Sequence, residues 1–333
     1  MAKIDLTAVS EFDFASDAYW ALFLRSRCSP FQHPDWLTPF YRILAPAYNA
    51  RPLIVVGRHV GSGALKLVVP LIRRRIGGTV AIESAFLGVS DYAVPLIDTT
   101  IEIEDGGLAR DFLAALGAFD RLEITPVRRD DLEAWRPLLP GRPIALGFGA
   151  HHLRMASPPT VAPALARKMR RLAELGPLRL DLAVPESVRQ VMSAAQRFRR
   201  GRFPNDPMQH DASFAFYVEV AMRGARSGLA RTYMLSCGDR LVAVLFGVIH
   251  RRRFHYLVLG CDYASHRRFS PGMIMFAKTM KHWFDDGGDV YDFTIGDEPF
   301  KTALGCERTP MYGLPRTGTI RRRAPAMAVG IDA

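Results

Sequence analysis

The sequence predicts an α/β fold made of two domains, and three observations lead to this class. At 333 residues, with 49% of them apolar, the chain is long enough to bury one large core or two smaller ones. Short apolar runs rich in β-branched residues alternate with stretches of helical periodicity. The two halves also share one order of elements, a helix, a hairpin of apolar strands, a helix and a closing strand, which favours a duplicated fold.

The first half is expected to form one domain over residues 1–150. Its helices are predicted over residues 17–25 and 108–119, and its strands over 52–60, 65–72, 80–87 and 121–124. The turn Gly61-Ser62-Gly63 between the first two strands is typical of a β-hairpin. Phe31 and Trp36, which lie in an aromatic stretch between the first helix and this hairpin, are expected to fill the core.

The second domain is expected over residues 156–316, after a linker at 156–163 that is rich in Pro, Ser and Ala. Its helices are predicted over residues 164–175, 185–199, 214–225 and 273–285, and its strands over 178–182, 230–235, 241–250, 254–259 and 290–294. The remaining residues, 317–333, are basic and rich in small side chains, and a disordered tail is expected there.

The charge of the chain bears on its partners. It has 44 Lys and Arg against 33 Asp and Glu, a net charge of +11, which concerns association and not the fold. Nucleic acid, an anionic membrane and phosphorylated small molecules would all suit this charge.

Cysteine usage and hydropathy indicate the compartment. Four isolated cysteines, Cys28, Cys237, Cys261 and Cys306, form no CxxC pair, so neither a zinc site nor a disulfide framework is predicted. The amino terminus lacks the basic flank and apolar centre of a signal peptide, and the longest apolar runs are too short to cross a bilayer. We therefore expect a cytoplasmic protein, with peripheral contact at the inner membrane left open.

Residues 254–301 carry the clearest local signal, a strand that leads through an arginine- and glycine-bearing turn into a helix. Free backbone N–H groups and the helix dipole favour an anion at a helix amino terminus. Gly272 lets the backbone approach a phosphate closely, and Arg267 or Arg268 can bind it with two hydrogen bonds. The alternative is a plain helix start, with Ser270 as the N-cap and Pro271 as the first helical residue.

Five segments in this order resemble the GNAT-related acyltransferases of the CelD and FemAB-like type: PFQHPDWL, FLGVSDYAVPL, GDRLVAVLFGV, FSPGMIMF and DFTIGDEPFK. The resemblance implies two tandem GNAT-like domains, each with a mixed, mostly antiparallel sheet flanked by helices. It also implies acyl or aminoacyl transfer, with acyl-CoA as co-substrate and no metal. The chain departs from the family pattern at Phe300, where a Tyr is frequent, and at Gln196, where a His is usual.

In a GNAT-like fold the acyl donor lies where two strands splay apart, here residues 254–259 and 290–294. A backbone N–H near Leu259 to Cys261 would polarise the thioester carbonyl. The residues that the resemblance places along the cofactor are Leu259, Cys261, Arg267, Arg268, Ser270, Gly272 and Met273.

Candidate catalytic residues flank the same strands. Asp262 is the first choice for a general base because it directly follows the strand, and His255 is the second, since only His255 or Tyr256 can face the cleft. A structural histidine is the alternative for His255. Lys301 would meet a phosphate or a developing negative charge.

Acceptor contacts are expected from two loops. Glu298 or Asp297 would hold the acceptor amine, the alternative being that they cap the following short helix. Asp91 and Tyr92, in a polar loop of the first half, would line an acceptor cleft between the domains.

The leading functional hypothesis is an acyl-CoA-dependent N-acyltransferase that acts on an amine of a cell-envelope lipid precursor. A sphingoid base, the acceptor of bacterial ceramide synthases, is favoured because of the surface basicity and the apolar content. Acetylation of exopolysaccharide precursors, aminoacyl transfer to a peptidoglycan precursor and a non-catalytic binding module are the alternatives. Nucleic acid is not expected as a partner.

Overall fold

A computed structural model describes residues 4–100 and 107–318 of the chain. Within this part the strands are β1 Ile4–Val9, β2 Arg51–His59, β3 Leu65–Ile76, β4 Thr79–Ser84, β5 Leu96–Ile97, β6 Arg121–Arg128, β7 Ile144–Arg154, β8 Leu178–Leu182, β9 Ala230–Cys237, β10 Arg240–His250, β11 Arg253–Cys261, β12 Val290–Ile295 and β13 Glu307–Thr317. The predicted hairpin of the first half is therefore present as β2 and β3.

The α-helices are α1 Asp17–Arg25, α2 Pro34–Pro39, α3 Ala45–Ala47, α4 Gly107–Leu116, α5 Leu132–Trp135, α6 Pro163–Ala173, α7 Val188–Arg199, α8 Asp211–Ser227, α9 Tyr263–His266, α10 Pro271–Asp285 and α11 Pro299–Ala303. Short 3₁₀ turns and one π-helical turn, Phe40–Leu44, complete the set. Among the residues described, no helix has the length and apolar character that a membrane crossing requires.

All strands join one mixed sheet, in the order β1-β2-β3-β4-β6-β13-β7-β12-β11-β10-β9-β8, with β5 beside β3. Two neighbouring pairs are parallel, β4 with β6 and β11 with β12, and the other pairs are antiparallel. Each half has one parallel pair, and in both halves a helical segment of the chain connects the two strands of that pair. The expected α/β class and the duplicated, mostly antiparallel arrangement are thus confirmed.

The two halves exchange their last strands. β7, which ends the first half, pairs with β12 of the second, whereas β13, which ends the second half, pairs with β6 of the first. β7 and β13 also pair with each other at the centre of the sheet. The boundary expected near residue 150 therefore falls inside β7, and the sheet continues from one half into the other.

Apolar side chains on both faces of the central strands explain why they lie between helices. β3 is apolar over residues 67–72 and β10 over residues 241–249, as is typical of strands buried on both faces. Phe31 and Trp36 are at most 1% exposed, which confirms their expected place in the core. Their cluster also contains residues of α7 and α8, so one hydrophobic core spans both halves.

Four strands were not predicted, namely β1, the two-residue β5, β7 and β13. β1 is a half-exposed edge strand, and β7 contains two glycines, which weaken a strand pattern. β13 contains Pro310 and Pro315, which cannot donate to a ladder, yet both pair in register with neighbouring strands. Most of the tail expected at 317–333 lies outside the described residues.

Candidate active site

The cleft of the second half opens where β11 and β12 separate. The two strands pair in parallel only between residues 253–255 and 290–292. Beyond this point each strand carries an extra residue relative to its antiparallel neighbour, Leu257 in β11 and Phe293 in β12. Such bulges bend a strand and leave backbone groups outside the ladder. The expected splay is therefore present, and it frees backbone groups along residues 257–261.

Thr294 marks the point of separation. Its hydroxyl donates to the carbonyl of Tyr256 across the gap, at 3.2 Å. Its backbone has φ +57°, a left-handed conformation that a β-branched residue rarely adopts. Strain of this kind persists only where the surrounding structure imposes it, and it is concentrated at functional sites.

Asp91 reaches this point from the first half of the chain. Burial raises the pKa of its carboxyl to about 7, although a hydrogen bond with Thr294 and the positive charge of Lys301 act in the opposite direction. Two neighbours of Asp91 hold its loop: Trp36 Nε1 donates to Ser90 Oγ at 2.9 Å, and the Tyr92 hydroxyl donates to Asp292 Oδ1 at 2.8 Å. A rigid loop thus delivers a carboxyl group that titrates near neutrality.

Asp292 anchors the two halves to each other. Besides the Tyr92 hydroxyl, Arg253 Nη1 donates to its Oδ2 at 3.0 Å, and Arg128 Nη1 of the first half lies 3.6 Å away. Burial acts to raise the pKa of Asp292, but the positive charges of Arg128 and Arg253 and the backbone N–H of Thr294 hold it below the usual value. The charged carboxylate is 1% exposed, and its partners keep it ionised.

His255 lies at this interface between the halves. Its ring packs against Phe31 and Tyr92, and Nε2 lies 3.7 Å from Asp292 Oδ2. Burial lowers the pKa of His255 to about 3, so the ring is neutral at physiological pH. Tyr256, next to it, packs against Phe276 in the other core. These surroundings give His255 a structural task, and its catalytic role stays a prediction.

Asp262 acts as the N-cap of α9. Its side chain accepts from the backbone N–H of Ser265 at 3.1 Å and lies 3.0 Å from His266 Nδ1. Burial acts to raise its pKa, but the hydrogen bonds from Ser265 and the nearby His266 lower it. A carboxylate held in this way is a weaker proton acceptor than Asp91 at neutral pH.

The turn before α10 has the features of a phosphate site. Ser270 adopts φ +57° and ψ +58°, a conformation that favours glycine, and its side chain does not cap the helix. Lys168 Nζ, from α6, donates to Ser270 Oγ at 2.8 Å. Arg267 and Arg268 are exposed beside it. The predicted arginines, the helix terminus and an additional lysine therefore meet at one place, which suits a pyrophosphate.

Gly272 lies against the other residues that the sequence assigned to the cofactor. A Cβ at this position would lie 2.9 Å from the Tyr263 hydroxyl, 3.3 Å from Leu259 and 3.6 Å from the sulfur of Cys261. Met273 follows it and is partly buried. Burial raises the pKa of Cys261 to about 12, so its thiol is protonated at neutral pH. Only a glycine fits here without displacing the Tyr263 hydroxyl.

The loop after β12 is held by its own side chains. Lys301 is 1% exposed, and its Nζ donates to the carbonyls of Ile295 at 2.8 Å and Gly296 at 3.0 Å and pairs with Glu298 at 2.9 Å. Asp297 accepts from Arg308 and lies 2.7 Å from His151 Nε2. Asp297 thereby connects the loop to β7 and β13. The contacts of Lys301 with the backbone and with Glu298 hold the loop in place beside Asp91.

Several site residues were not singled out from the sequence. Asp292 carries a detectable signal, since a carboxylate inside the apolar strand VYDFTI needs a buried partner. Arg128, Lys168 and Thr294 carry none, because each acquires its role through contacts with distant segments.

The comparisons with known proteins agree with this geometry. Residues 163–302 match the family model described as the acetyltransferase (GNAT) domain. No curated protein sequence matches the chain significantly.

Solved structures share the fold at low identity. FemX is 10% identical, with 92% of this chain and 96% of that chain covered and a TM-score of 0.58. The C-terminal domain of a proposed lysylphosphatidylglycerol synthetase from Agrobacterium fabrum is 14% identical, with 89% of each chain covered and a TM-score of 0.57. L-PGS from Bacillus licheniformis is 9% identical, with 92% and 91% covered and a TM-score of 0.56.

These structures support the fold, and the family match covers the strands, the turn and the helix that build the cleft. The resemblance deduced from the five sequence segments is confirmed, and the co-substrate of such a domain is an acyl-CoA. Residues 163–302 are therefore similar to a GNAT acetyltransferase domain, and an acyltransferase is the enzyme class that this match supports.

Proposed function

We propose that the protein transfers an acyl group from acyl-CoA to the amine of a cell-envelope lipid precursor, with a sphingoid base as the favoured acceptor. The observation that carries this proposal is the position of Asp91. Its carboxyl group, with a pKa of about 7, lies beside Thr294, where β11 and β12 separate. A proton acceptor of suitable strength near the expected position of the thioester supports the proposal.

Amide formation requires a base because an aliphatic amine is largely protonated at neutral pH. Asp91 accepts a proton from the ammonium group, and the free amine attacks the thioester carbonyl. The new C–N bond forms and the C–S bond breaks. The amide nitrogen loses its remaining extra proton to the departing sulfur, so CoA is released as the thiol, and Asp91 returns the first proton to solvent. A base with a pKa near the working pH accelerates such a step by about 10²–10⁴.

The rest of the cleft has supporting tasks. A free backbone N–H of residues 257–261 stabilises the oxyanion, since β11 is bulged at this point. The turn with Lys168, Arg267 and Arg268 binds the pyrophosphate of CoA. Thr294 orients the carboxyl group of Asp91.

Two considerations support a lipid acceptor at the envelope. One structural neighbour is named after a lipid, lysylphosphatidylglycerol, and FemX is another neighbour. The net charge of +11 suits peripheral contact with an anionic membrane.

The test measures release of free CoA by the purified protein. Long-chain acyl-CoA with a sphingoid amine is expected to release CoA, with the N-acylated lipid visible by mass spectrometry. Acetyl-CoA with an amino sugar, and aminoacyl-tRNA with a peptidoglycan precursor, are the competing pairs. Turnover confined to either competing pair would replace the lipid acceptor by that substrate.

A further inference from the structure

A second candidate binding site lies in the first half, at the end of the sheet away from the β11–β12 cleft. A cavity of about 660 Å³ is lined by Arg51 of β2, Arg73, Arg74 and Arg75 of β3, and by Pro46 and Val80. Its volume falls within the range of small-molecule pockets, about 300–1,000 Å³. Four arginines line this one cavity, so its positive charge is concentrated in a small volume.

The sheet itself brings these charges together. Arg51 and Arg73 are direct partners in the antiparallel ladder, and Arg75 follows Arg73 on the same face. Like charges directly opposite each other destabilise a sheet. An anion between the guanidinium groups would remove this repulsion.

Few of these charges are neutralised by the protein. Arg74 pairs with Glu83 at 3.2 Å. Over residues 4–100 and 107–318, Arg51, Arg73 and Arg75 have no ion pair with a carboxylate. Nη2 of Arg73 donates to the carbonyl of Leu116, whereas its buried Nε has no hydrogen-bond partner in the same residues. A buried donor without a partner is costly, so the protein satisfies the Arg73 guanidinium group only in part.

We propose that this cavity binds a phosphate group. Guanidinium groups present paired N–H donors that match the oxygens of phosphate, and several of them can bind one doubly charged anion. Two sources share this chemistry, a free phosphorylated compound and the head group of an anionic lipid. The lipid source is compatible with the apolar side chain of Ile76, which follows Arg75 at the end of β3 and is 44% exposed.

The experiment compares two double variants of the full chain. Arg51→Gln/Arg75→Gln removes two exposed charges of the cavity. Arg129→Gln/Arg136→Gln removes two exposed charges elsewhere in the first half and serves as the control. Inorganic pyrophosphate is titrated calorimetrically into protein saturated with CoA, so that the acyl-donor site is filled. Flotation with vesicles of phosphatidylglycerol and phosphatidylcholine is the second assay.

Binding of at least one probe is expected to weaken tenfold or more in Arg51→Gln/Arg75→Gln and less than twofold in the control. Loss of pyrophosphate binding identifies a free phosphate compound, and loss of vesicle binding alone identifies a lipid head group. Equal loss in both variants, no loss in either, or no binding by the wild type would overturn the proposal. Should the cavity variant unfold at a lower temperature than the control, Arg75→Gln alone takes its place in the comparison.

Discussion

Replacement of Asp91 by asparagine tests the assignment of the catalytic base. The variant keeps the size of the side chain but cannot accept the proton of the amine. Loss of a general base costs about 10²–10⁴ in rate, or about 3–5 kcal/mol in the activation barrier. We expect this loss in kcat/KM of Asp91→Asn, with the Kd for acyl-CoA unchanged.

The same substitution should stabilise the fold. A pKa of about 7 in place of 3.8 means that the folded state binds a proton that the unfolded state releases between these values. Stability is therefore lost as the pH rises from about 4 to 7, by up to about 4 kcal/mol. Because asparagine carries no charge, Asp91→Asn should raise the free energy of unfolding at pH 8 by up to this amount, and by less at pH 5.

Two assays test the expected changes in activity and in stability with pH. The wild-type kcat/KM should rise with pH to a plateau above about pH 7. The kcat/KM of Asp91→Asn should keep rising with pH over this range and show no plateau near pH 7, because this variant can use only acceptor amine that is already deprotonated. Urea unfolding at pH 5 and pH 8 measures the change in stability. Asp130→Asn, which removes an exposed carboxylate of the first half, is the control and should behave as the wild type. A fully active Asp91→Asn, or one that is less stable at pH 8, would refute the reasoning.

Three further substitutions test other parts of the site. Lys168→Met removes the ammonium group at the turn before α10 and should weaken CoA binding about tenfold, as measured by calorimetry. Its control, Lys281→Met on the exposed face of α10, should leave the affinity for CoA unchanged. Gly272→Ala places a methyl group 2.9 Å from the Tyr263 hydroxyl and should raise KM for acyl-CoA more than it lowers kcat; an unchanged KM would argue against backbone contact there. Tyr92→Phe leaves the buried carboxylate of Asp292 without one hydrogen-bond donor and should lower the free energy of unfolding by about 1.5–3 kcal/mol. The control variant, Tyr312→Phe on β13, should not show this loss of stability.

The sequence was sufficient for the elements whose pattern is local. β2, β3 and β10 are apolar runs bounded by turns, and α1 was predicted with its observed ends because its periodicity is uninterrupted. The prolines of β13 give the opposite local signal, and only pairing with strands more than 150 residues away makes them part of the sheet. A short stretch of sequence does not contain the information that sets the register of a strand with distant strands.

The site shows the same division. The loop with Asp91 and Tyr92 was assigned to the acceptor cleft from its polar residues, but the pKa of Asp91 depends on packing against β12, some 200 residues away. Asp262 was the first choice as base because of its place after a strand, and the structure gives it an N-cap role. Adjacency in sequence predicted the turn at Ser270 and Gly272 well, because its geometry is local.

The exchange of β7 and β13 has a consequence for how the protein is made. The first half cannot complete its sheet until residues 307–317 have left the ribosome, since β13 is the partner of β6. Contacts between segments so far apart in the chain slow folding, and an unpaired strand edge invites aggregation in the meantime. We therefore expect neither half to be stable before β13 has been synthesised, and fragments cut near residue 150 should be insoluble when produced separately.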